Sequence, residues 1–257
     1  MSMTEFDRGP LVGFARHFDV VPDPPEPSRF WFDWGPIFYR GRLNGTARVL
    51  CIGSDPGATE RIAGRALVGD AGQRVQGFLS KLGLTRSYVC LNVFQWGLFP
   101  TEADNATEMM SVPEQMEWRN RLYDMTRSPQ LQAVVAYGRV AQTAVEKWPG
   151  KGALPVFEVP HPSSQDATVL LNQWRAAVTA LRDVVTPDAD GDASSPNYGS
   201  TFAESDYAAI PRADLPFGAP AFLGDDAWLR ATGRRTSVWR PSPDDRHTLQ
   251  WIAPPSG

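Results

Sequence analysis

Short apolar runs alternate with helical patterns between residues 46 and 186, and this alternation restricts the chain to one class of fold. The apolar runs occupy residues 48–53, 87–94, 133–138 and 155–160. Helical patterns occupy residues 70–83, 113–126, 139–148 and 167–185. Strands that alternate with helices form parallel βαβ units. We therefore predict an α/β protein, a three-layer α/β/α sandwich around a central, mainly parallel four-stranded sheet, with irregular extensions at both ends.

The segments on either side of residues 46–186 lack this alternation. Residues 1–45 contain the proline run VPDPPEPS, which cannot be helical, and we predict an irregular N-terminal extension. Residues 187–199 are rich in Asp, Ser, Gly and Pro, which is typical of a flexible linker. We expect residues 200–257 to form an irregular extension over the domain, with a small separate domain as the alternative.

Charge is distributed unevenly along the 257 residues. Lys and Arg total 25 against 29 Asp and Glu, a net charge of −4 that argues against a nucleic-acid partner. Residues 1–186 are neutral, however, and residues 187–257 carry the whole negative excess. Residues 38–86 hold eight basic and three acidic residues. If these basic side chains share a face, the domain has an anion-attracting surface, and otherwise they form an ordinary solvated face.

The two cysteines, Cys51 and Cys90, are too few for a disulfide framework or a four-cysteine metal site. Both lie in apolar runs, so we expect buried strand residues and no cofactor. No apolar run approaches the ~20 residues of a membrane span. The N-terminal sequence MSMTEFDRGP lacks a basic start followed by an apolar stretch, so we expect no secretory signal and a cytoplasmic monomer.

Polar side chains stand at three predicted strand ends. Asp55 lies in GSDPG after the first strand, Asn92 ends the second, and His161 begins HPSS after the fourth. In open α/β sheets, ligands bind beyond the carboxyl ends of the strands, so these three groups can face one crevice. Each also has a purely structural alternative: a turn or helix cap for Asp55 and Asn92, and a structural hydrogen bond for His161.

Taken together, these features resemble the uracil-DNA glycosylase superfamily, in a branch without its iron–sulfur cluster. GSDPG resembles the first motif of that superfamily, HPSS its second, and GRALVGDAGQ the segment that follows the first motif. Asn92 matches the base-reading asparagine. The match spans about residues 48–184. It implies a base-excision enzyme whose partner is DNA containing uracil or a modified pyrimidine.

The resemblance also implies roles for individual residues. Asp55 stabilises the cationic sugar and positions the attacking water, and His161 donates a hydrogen bond to O2 of the departing base. The residues expected to bind the base are Gly53, Ser54, Gly57, Leu67, Asn92 and Phe94. Those expected to contact DNA are Pro56, Ser163, Ser164, Gln165, Arg65 and Arg74, with Arg61 as a further candidate.

Three departures from the superfamily leave the function open. Gly57 stands where the best-known branch has a tyrosine, which predicts a roomier pocket, and Leu67 replaces a stacking aromatic. Gln165 stands at the place of the intercalating leucine, so either Gln165 or Leu170 fills the vacated stack. The alternatives are excision of a bulky, phage-type base in defence, a non-catalytic DNA-damage-binding module, and a nucleoside or nucleotide hydrolase.

Overall fold

Five strands and seven α-helices, joined by loops and short 3-10 turns, are present in residues 6–216, the part of the chain described by the computed structural model. The strands are β1 (Tyr39–Gly41), β2 (Val49–Gly53), β3 (Tyr88–Asn92), β4 (Ala133–Tyr137) and β5 (Val156–Val159). The helices are α1 (Val12–Phe18), α2 (Ala58–Ala63), α3 (Asp70–Lys81), α4 (Ala106–Met109), α5 (Pro113–Thr126), α6 (Gly138–Glu146) and α7 (Ala167–Arg182).

The sheet has the order β1-β3-β2-β4-β5, and β2 to β5 run parallel as predicted. The predicted count of four strands is wrong by one, because β1 adds an antiparallel edge strand beside β3. β1 and α1 both lie within residues 1–45, which were predicted to be irregular. A three-residue strand between aromatic and turn residues is too short to show a periodic pattern, which explains why the sequence does not reveal it.

Apolar side chains cover both faces of the sheet and form the predicted three layers. Leu50 and Ile52 of β2 point to one core layer, which also takes apolar residues of α1, α5 and α6. Val49 and Cys51 of β2 point to the other layer, shared with α3 and α7. Strand residues alternate between the two faces, so a strand covered on both sides is apolar throughout. Cys51 and Cys90 are free and buried on adjacent strands, as predicted.

Residues 187–199, predicted to be a linker, lie against the domain. The carboxylate of Asp188 accepts backbone N–H bonds from Thr85, Arg86 and Ser87, at the amino end of β3. Tyr198 is buried against Trp174 of α7. Residues 217–257, the larger part of the predicted C-terminal extension, lie outside the described residues. Within residues 6–216 no helix is long and apolar enough to cross a membrane.

Acidic groups neutralise most of the basic residues of the segment 38–86. Within residues 6–216, seven of its eight basic side chains form ion pairs, and four of the six acidic partners come from residues 188–214. The pairs are Arg40 and Arg42 with Asp214, Arg48 with Asp188, Arg65 with Asp7, Arg74 with Asp70, Lys81 with Asp206, and Arg86 with Asp190. The segment therefore does not present the broad positive surface that its composition allows.

Arg40 and Asp214 form the most deeply buried of these pairs. The Nη1 atom of Arg40 lies 3.1 Å from Oδ2 of Asp214, and both side chains are almost completely inaccessible. The hydroxyl of Tyr88 donates to the same carboxylate at 2.7 Å, and Arg42 donates to its other oxygen at 3.1 Å. A buried charge without its partner is strongly destabilising, so Asp214 fixes residues 212–216 to the edge of the sheet.

Replacing Asp214 with asparagine is expected to lower the free energy of unfolding by about 3–5 kcal/mol, because it leaves the buried Arg40 guanidinium without its counter-charge. Chemical denaturation measures the change. The matched control is Arg86→Gln, which removes an exposed pair with Asp190 whose two side chains are each 59% exposed. Exposed pairs contribute about 0–1 kcal/mol. Equal losses in the two variants contradict the role given to Asp214.

Candidate active site

A cavity of about 320 Å³ opens at the carboxyl edge of the sheet. Its wall includes Asp55, Gly57, Leu67 and His161, four of the residues predicted to bind or cleave the substrate. The rest of the wall comes from α2 and from the start of α3. The first-motif loop is GSDPG, residues 53–57, and the second-motif loop is HPSS, residues 161–164. The two loops meet here because β2 and β5 are parallel strands of one sheet, so their carboxyl ends lie at the same edge.

Asp55 presents its carboxyl group to the cavity from the loop that follows β2. Burial raises the pKa of Asp55 to about 6, against the lowering effect of hydrogen bonds from the Leu98 N–H and the Ser54 hydroxyl. The negative charge of Glu60 raises this pKa further. The Leu98 N–H donates to Oδ2 of Asp55 at 3.0 Å. Above pH 6 the group is an ionised carboxylate in a partly desolvated position.

Glu60 of α2 is a buried residue that the sequence analysis did not single out. Its Oε1 atom accepts the N–H groups of Val68 and Gly69, each at 2.8 Å, and its Oε2 atom accepts the N–H of Gly57 at 3.0 Å. One carboxylate thus ties the first-motif loop to the segment that leads into α3. Glu60 also lines the cavity, and it fixes the relative position of two of its walls.

Leu67 lies in a strained backbone conformation at the cavity wall. Its φ of +52° is the only positive value for a residue other than glycine in residues 6–216. Such a conformation costs about 1–3 kcal/mol and persists only where neighbouring contacts outweigh that cost, as the bonds from Val68 and Gly69 to Glu60 do here. In this conformation the Leu67 side chain lies against Gly53 and lines the cavity, where the base is predicted to bind.

Asn92 ends β3 opposite Gly53 in the parallel register. Its side chain is completely buried, yet neither Oδ1 nor Nδ2 has a hydrogen-bond partner among the described residues. A Cβ atom at Gly53 would lie 2.6 Å from Oδ1 of Asn92, so only glycine leaves room for this amide. An unsatisfied buried amide costs about 1–3 kcal/mol, and a ligand with matching donor and acceptor groups recovers that energy.

His161 is held as a neutral imidazole. The Ser163 N–H donates to Nδ1 of His161 at 3.3 Å, and the Ser163 hydroxyl lies 2.7 Å from the same atom. A ring nitrogen that accepts a bond carries no proton, so the proton of the neutral ring is on Nε2. Burial lowers the pKa of His161 to about 4. Gly138, with φ of +82°, allows β4 to approach, because a Cβ there would lie 2.9 Å from Cβ of His161.

Arg74 and Arg65, both predicted to contact DNA, bind protein groups. The Nη1 atom of Arg74 donates to the Pro162 carbonyl at 2.7 Å, so this arginine holds the second-motif loop against α3. Arg65 pairs with Asp7 at 2.6 Å and lies over the ring of Tyr39. Their contact with DNA stays a prediction, and both guanidinium groups are already engaged.

The remaining predicted residues divide between the loops and the core. Ser164 forms a turn with His161 through its backbone N–H at 2.9 Å, and Gln165 is exposed. Ser54, which is half-buried, and Pro56, which is buried, belong to the first-motif loop beside Asp55. Gly53, Asn92, Phe94 and Leu170 do not line the cavity. Phe94 packs against Phe30 in the opposite core layer, and Leu170 is fully buried in α7. Of Gln165 and Leu170, only Gln165 is exposed.

Metal binding has no support in the described part of the chain. No group of three or more His, Cys, Asp or Glu side chains within residues 6–216 is arranged to hold a metal ion. Asp55 and His161 line the cavity, and the buried amide of Asn92 lies at the same edge of the sheet, at the end of β3.

The fold and the site define an α/β protein with a carboxylate, an amide and a neutral imidazole at one sheet edge. The family model described as the Uracil DNA glycosylase superfamily matches residues 40–181, more than half of the chain. The protein belongs to this superfamily. Its structure is similar to one described as the WT UNG crystal structure from Nitratifractor salsuginis, with 13% identity, a TM-score of 0.34, and coverage of 70% of this chain and 100% of that one. No curated protein matches the sequence.

We expect His161 to remain neutral with its proton on Nε2 from pH 8 down to about pH 5, because its burial disfavours the charged ring. Nitrogen-15 chemical shifts of the imidazole, followed through a pH titration, report both the pKa and the protonated nitrogen. The Ser163→Gly variant removes the hydroxyl near Nδ1 and serves as a comparison. A midpoint near 6.5, the ordinary value for histidine, contradicts the assignment.

Proposed function

We propose that this protein is a monofunctional DNA glycosylase that flips a uracil or modified pyrimidine out of DNA and hydrolyses its N-glycosidic bond, leaving an abasic site. One observation carries the proposal: a buried, unpartnered amide on Asn92 lies at the same sheet edge as the carboxylate of Asp55 and the Nε2–H donor of His161. Membership of the uracil DNA glycosylase superfamily supports DNA as the substrate. We propose that the enzyme acts as a monomer in the cytoplasm.

Asp55 acts on the sugar and the water. Cleavage of an N-glycosidic bond passes through an oxocarbenium-like sugar, and the ionised Asp55 stabilises that positive charge. The same carboxylate orients the water that attacks C1′, and the proton released by that water passes through Asp55 to solvent. The C–N bond breaks with its electron pair going to the base, so the base leaves as an anion and is then protonated by solvent.

His161 and Asn92 act on the base. The Nε2–H of His161 donates a hydrogen bond to O2 of the pyrimidine, where the negative charge develops, and a neutral donor remains in place through the reaction. A donor of this kind contributes roughly 3 kcal/mol, or about a hundredfold in rate. The donor and acceptor of the Asn92 amide bind the edge of the flipped base, which explains why the folded protein leaves both atoms without partners.

The size of the cavity extends the proposal to larger bases. Gly57 places no side chain at the cavity wall, and the volume of about 320 Å³ lies in the range of pockets that hold ligands larger than one pyrimidine ring. We propose that a pyrimidine with a bulky substituent, of the kind found in modified phage DNA, is also a substrate, and that its excision serves defence against phage.

Asp55→Asn is expected to slow base release by about 10²–10⁴-fold. An amide has no negative charge to stabilise the cationic sugar, and it cannot take the proton from water. His161→Ala is expected to slow it by about 10²–10³-fold through loss of the O2 donor. Single-turnover measurement of abasic sites in uracil-containing oligonucleotides, with melting curves to verify folding, tests both. Asp190→Asn, an exposed carboxylate elsewhere, is the control.

The same assay separates the other classes of function. Multiple turnovers by the unaltered protein exclude a binding module without catalysis. Base release from free nucleosides, with DNA binding that does not weaken as salt rises, indicates a nucleoside hydrolase instead, since DNA binding depends strongly on salt. Full activity in both Asp55→Asn and His161→Ala contradicts the roles assigned to them.

We expect Gly57→Tyr to abolish release of pyrimidines with bulky 5-substituents while uracil release falls less than about tenfold, because the ring fills the open wall. A panel of oligonucleotides with uracil, hydroxymethyluracil and glycosylated pyrimidines, each in single and double strands, measures this selectivity. Gly57→Ala is the matched control, since its added Cβ meets only Oε2 of Glu60, at 3.0 Å. Release of uracil alone by the unaltered protein disproves the larger substrate.

A further inference from the structure

Arg61 is the basic residue of segment 38–86 that forms no ion pair within residues 6–216. Its side chain is exposed, and its guanidinium lies over the ring of Trp34, 5.0 Å from the centroid. Arg61 belongs to α2, one turn after the cavity residue Gly57, whose carbonyl accepts the Arg61 N–H at 3.2 Å. The stacking holds the charge beside the cavity without neutralising it.

Exposed aromatic side chains continue the surface from Arg61. Trp34 stacks on Trp31 with ring centroids 5.0 Å apart and an interplanar angle of 13°. Trp31 is 42% exposed and its neighbour Phe32 is 37% exposed. Exposed apolar side chains that form a contiguous patch mark interaction sites, whereas single ones do not. Trp31, Phe32, Trp34 and Arg61 are together called the aromatic–arginine patch.

The patch is attached to the loop that holds Asp55. The Trp31 N–H donates to the Gly97 carbonyl at 2.8 Å, and the next residue, Leu98, donates its N–H to Asp55. Gly97 also packs against the Pro56 carbonyl, because a Cβ at Gly97 would lie 2.7 Å from that oxygen. The aromatic–arginine patch and the cavity therefore share the first-motif loop and the loop after β3.

We propose that the aromatic–arginine patch binds an unpaired DNA strand next to the flipped nucleotide. Arg61 contacts a phosphate of that strand, and the exposed surfaces of Trp31 and Phe32 contact a neighbouring base. The inference rests on the proposed function, since it assigns the strand that enters the cavity.

The combination of residues favours an unpaired strand over a duplex. A phosphate contact alone needs only the charge of Arg61, and duplex and single-stranded DNA both supply phosphates. The aromatic surface gains energy only from a base whose face or edge is free, and duplex bases are stacked on one another. Grooves that bind single strands combine these two elements, a cation that tracks the backbone and aromatic side chains that contact bases.

Binding of a fluorescein-labelled oligothymidylate, alone or annealed to its complement, tests the proposal by fluorescence anisotropy at several salt concentrations. Arg61→Gln is expected to weaken single-strand binding about fivefold or more and to reduce the slope of log K against log salt by about 0.7, the value for one phosphate contact. Trp31→Ala is expected to weaken single-strand binding about fivefold or more with the salt slope and the duplex affinity unchanged.

The controls separate this inference from the proposed function. Arg121→Gln removes an exposed charge from α5 and is expected to bind as the unaltered protein does. If Trp31→Ala does not fold, Phe32→Ser tests the same surface. The proposal is overturned if Arg61→Gln binds the single strand with the same affinity as Arg121→Gln. It is also overturned if the aromatic variants lose single-strand and duplex affinity equally. Neither result contradicts the glycosylase function. Failure of the unaltered protein to bind the single strand also overturns the proposal, whereas the glycosylase function is overturned only when no oligonucleotide with uracil or a modified pyrimidine gains abasic sites.

Discussion

The carboxylate of Glu60 accepts three backbone N–H groups, and the geometry of the cavity depends on it. Without these bonds, Gly57 and the turn at Val68 and Gly69 have no common anchor. The strained φ of Leu67 also depends on the anchor, because the next two residues donate to Glu60. The charge of Glu60 also raises the pKa of Asp55. The group that shapes the cavity therefore also affects the pH at which Asp55 ionises.

Local patterns predict the sheet and the placement of its functional groups. β2, β3 and β4 are buried along their whole length because helices cover both faces, and such apolar runs are readable from the sequence. The edge strand β5 is less buried and includes the exposed Glu158. Asp55, Asn92 and His161 interrupt or follow these runs, and parallel topology requires strand ends of this kind to share an edge. β1 forms one edge of the sheet but is not predicted from the sequence, because a strand of three residues is too short to show a hydrophobic periodicity.

Long-range partners are the part that the sequence does not predict. Arg65 and Arg74 are predicted from the sequence to contact DNA, and nothing near them in the sequence marks Asp7 or the Pro162 carbonyl as their partners. Long-range pairing also accounts for several acidic residues between 187 and 216, the part of the acidic segment that the structure describes. Asp188, Asp206 and Asp214 are buried ion-pair partners of the basic segment, so in this region the charge asymmetry reflects packing between two parts of one chain.

The distribution of arginines also serves the chemistry proposed for the cavity. A cation close to Asp55 would neutralise the carboxylate that is to stabilise a cationic sugar, and interactions between charges are strong in a partly desolvated site. Arg65 and Arg74 are instead held by Asp7 and by the Pro162 carbonyl, and Arg61 is turned outward onto Trp34. Burial raises the pKa of Asp55 to about 6 and lowers that of His161 to about 4, so near neutral pH Asp55 is a carboxylate and His161 a neutral donor. This combination favours a transition state whose positive charge is on the sugar and whose negative charge is on the base. The phosphate contact proposed for Arg61 lies outside the cavity, where it leaves the charge of Asp55 unneutralised.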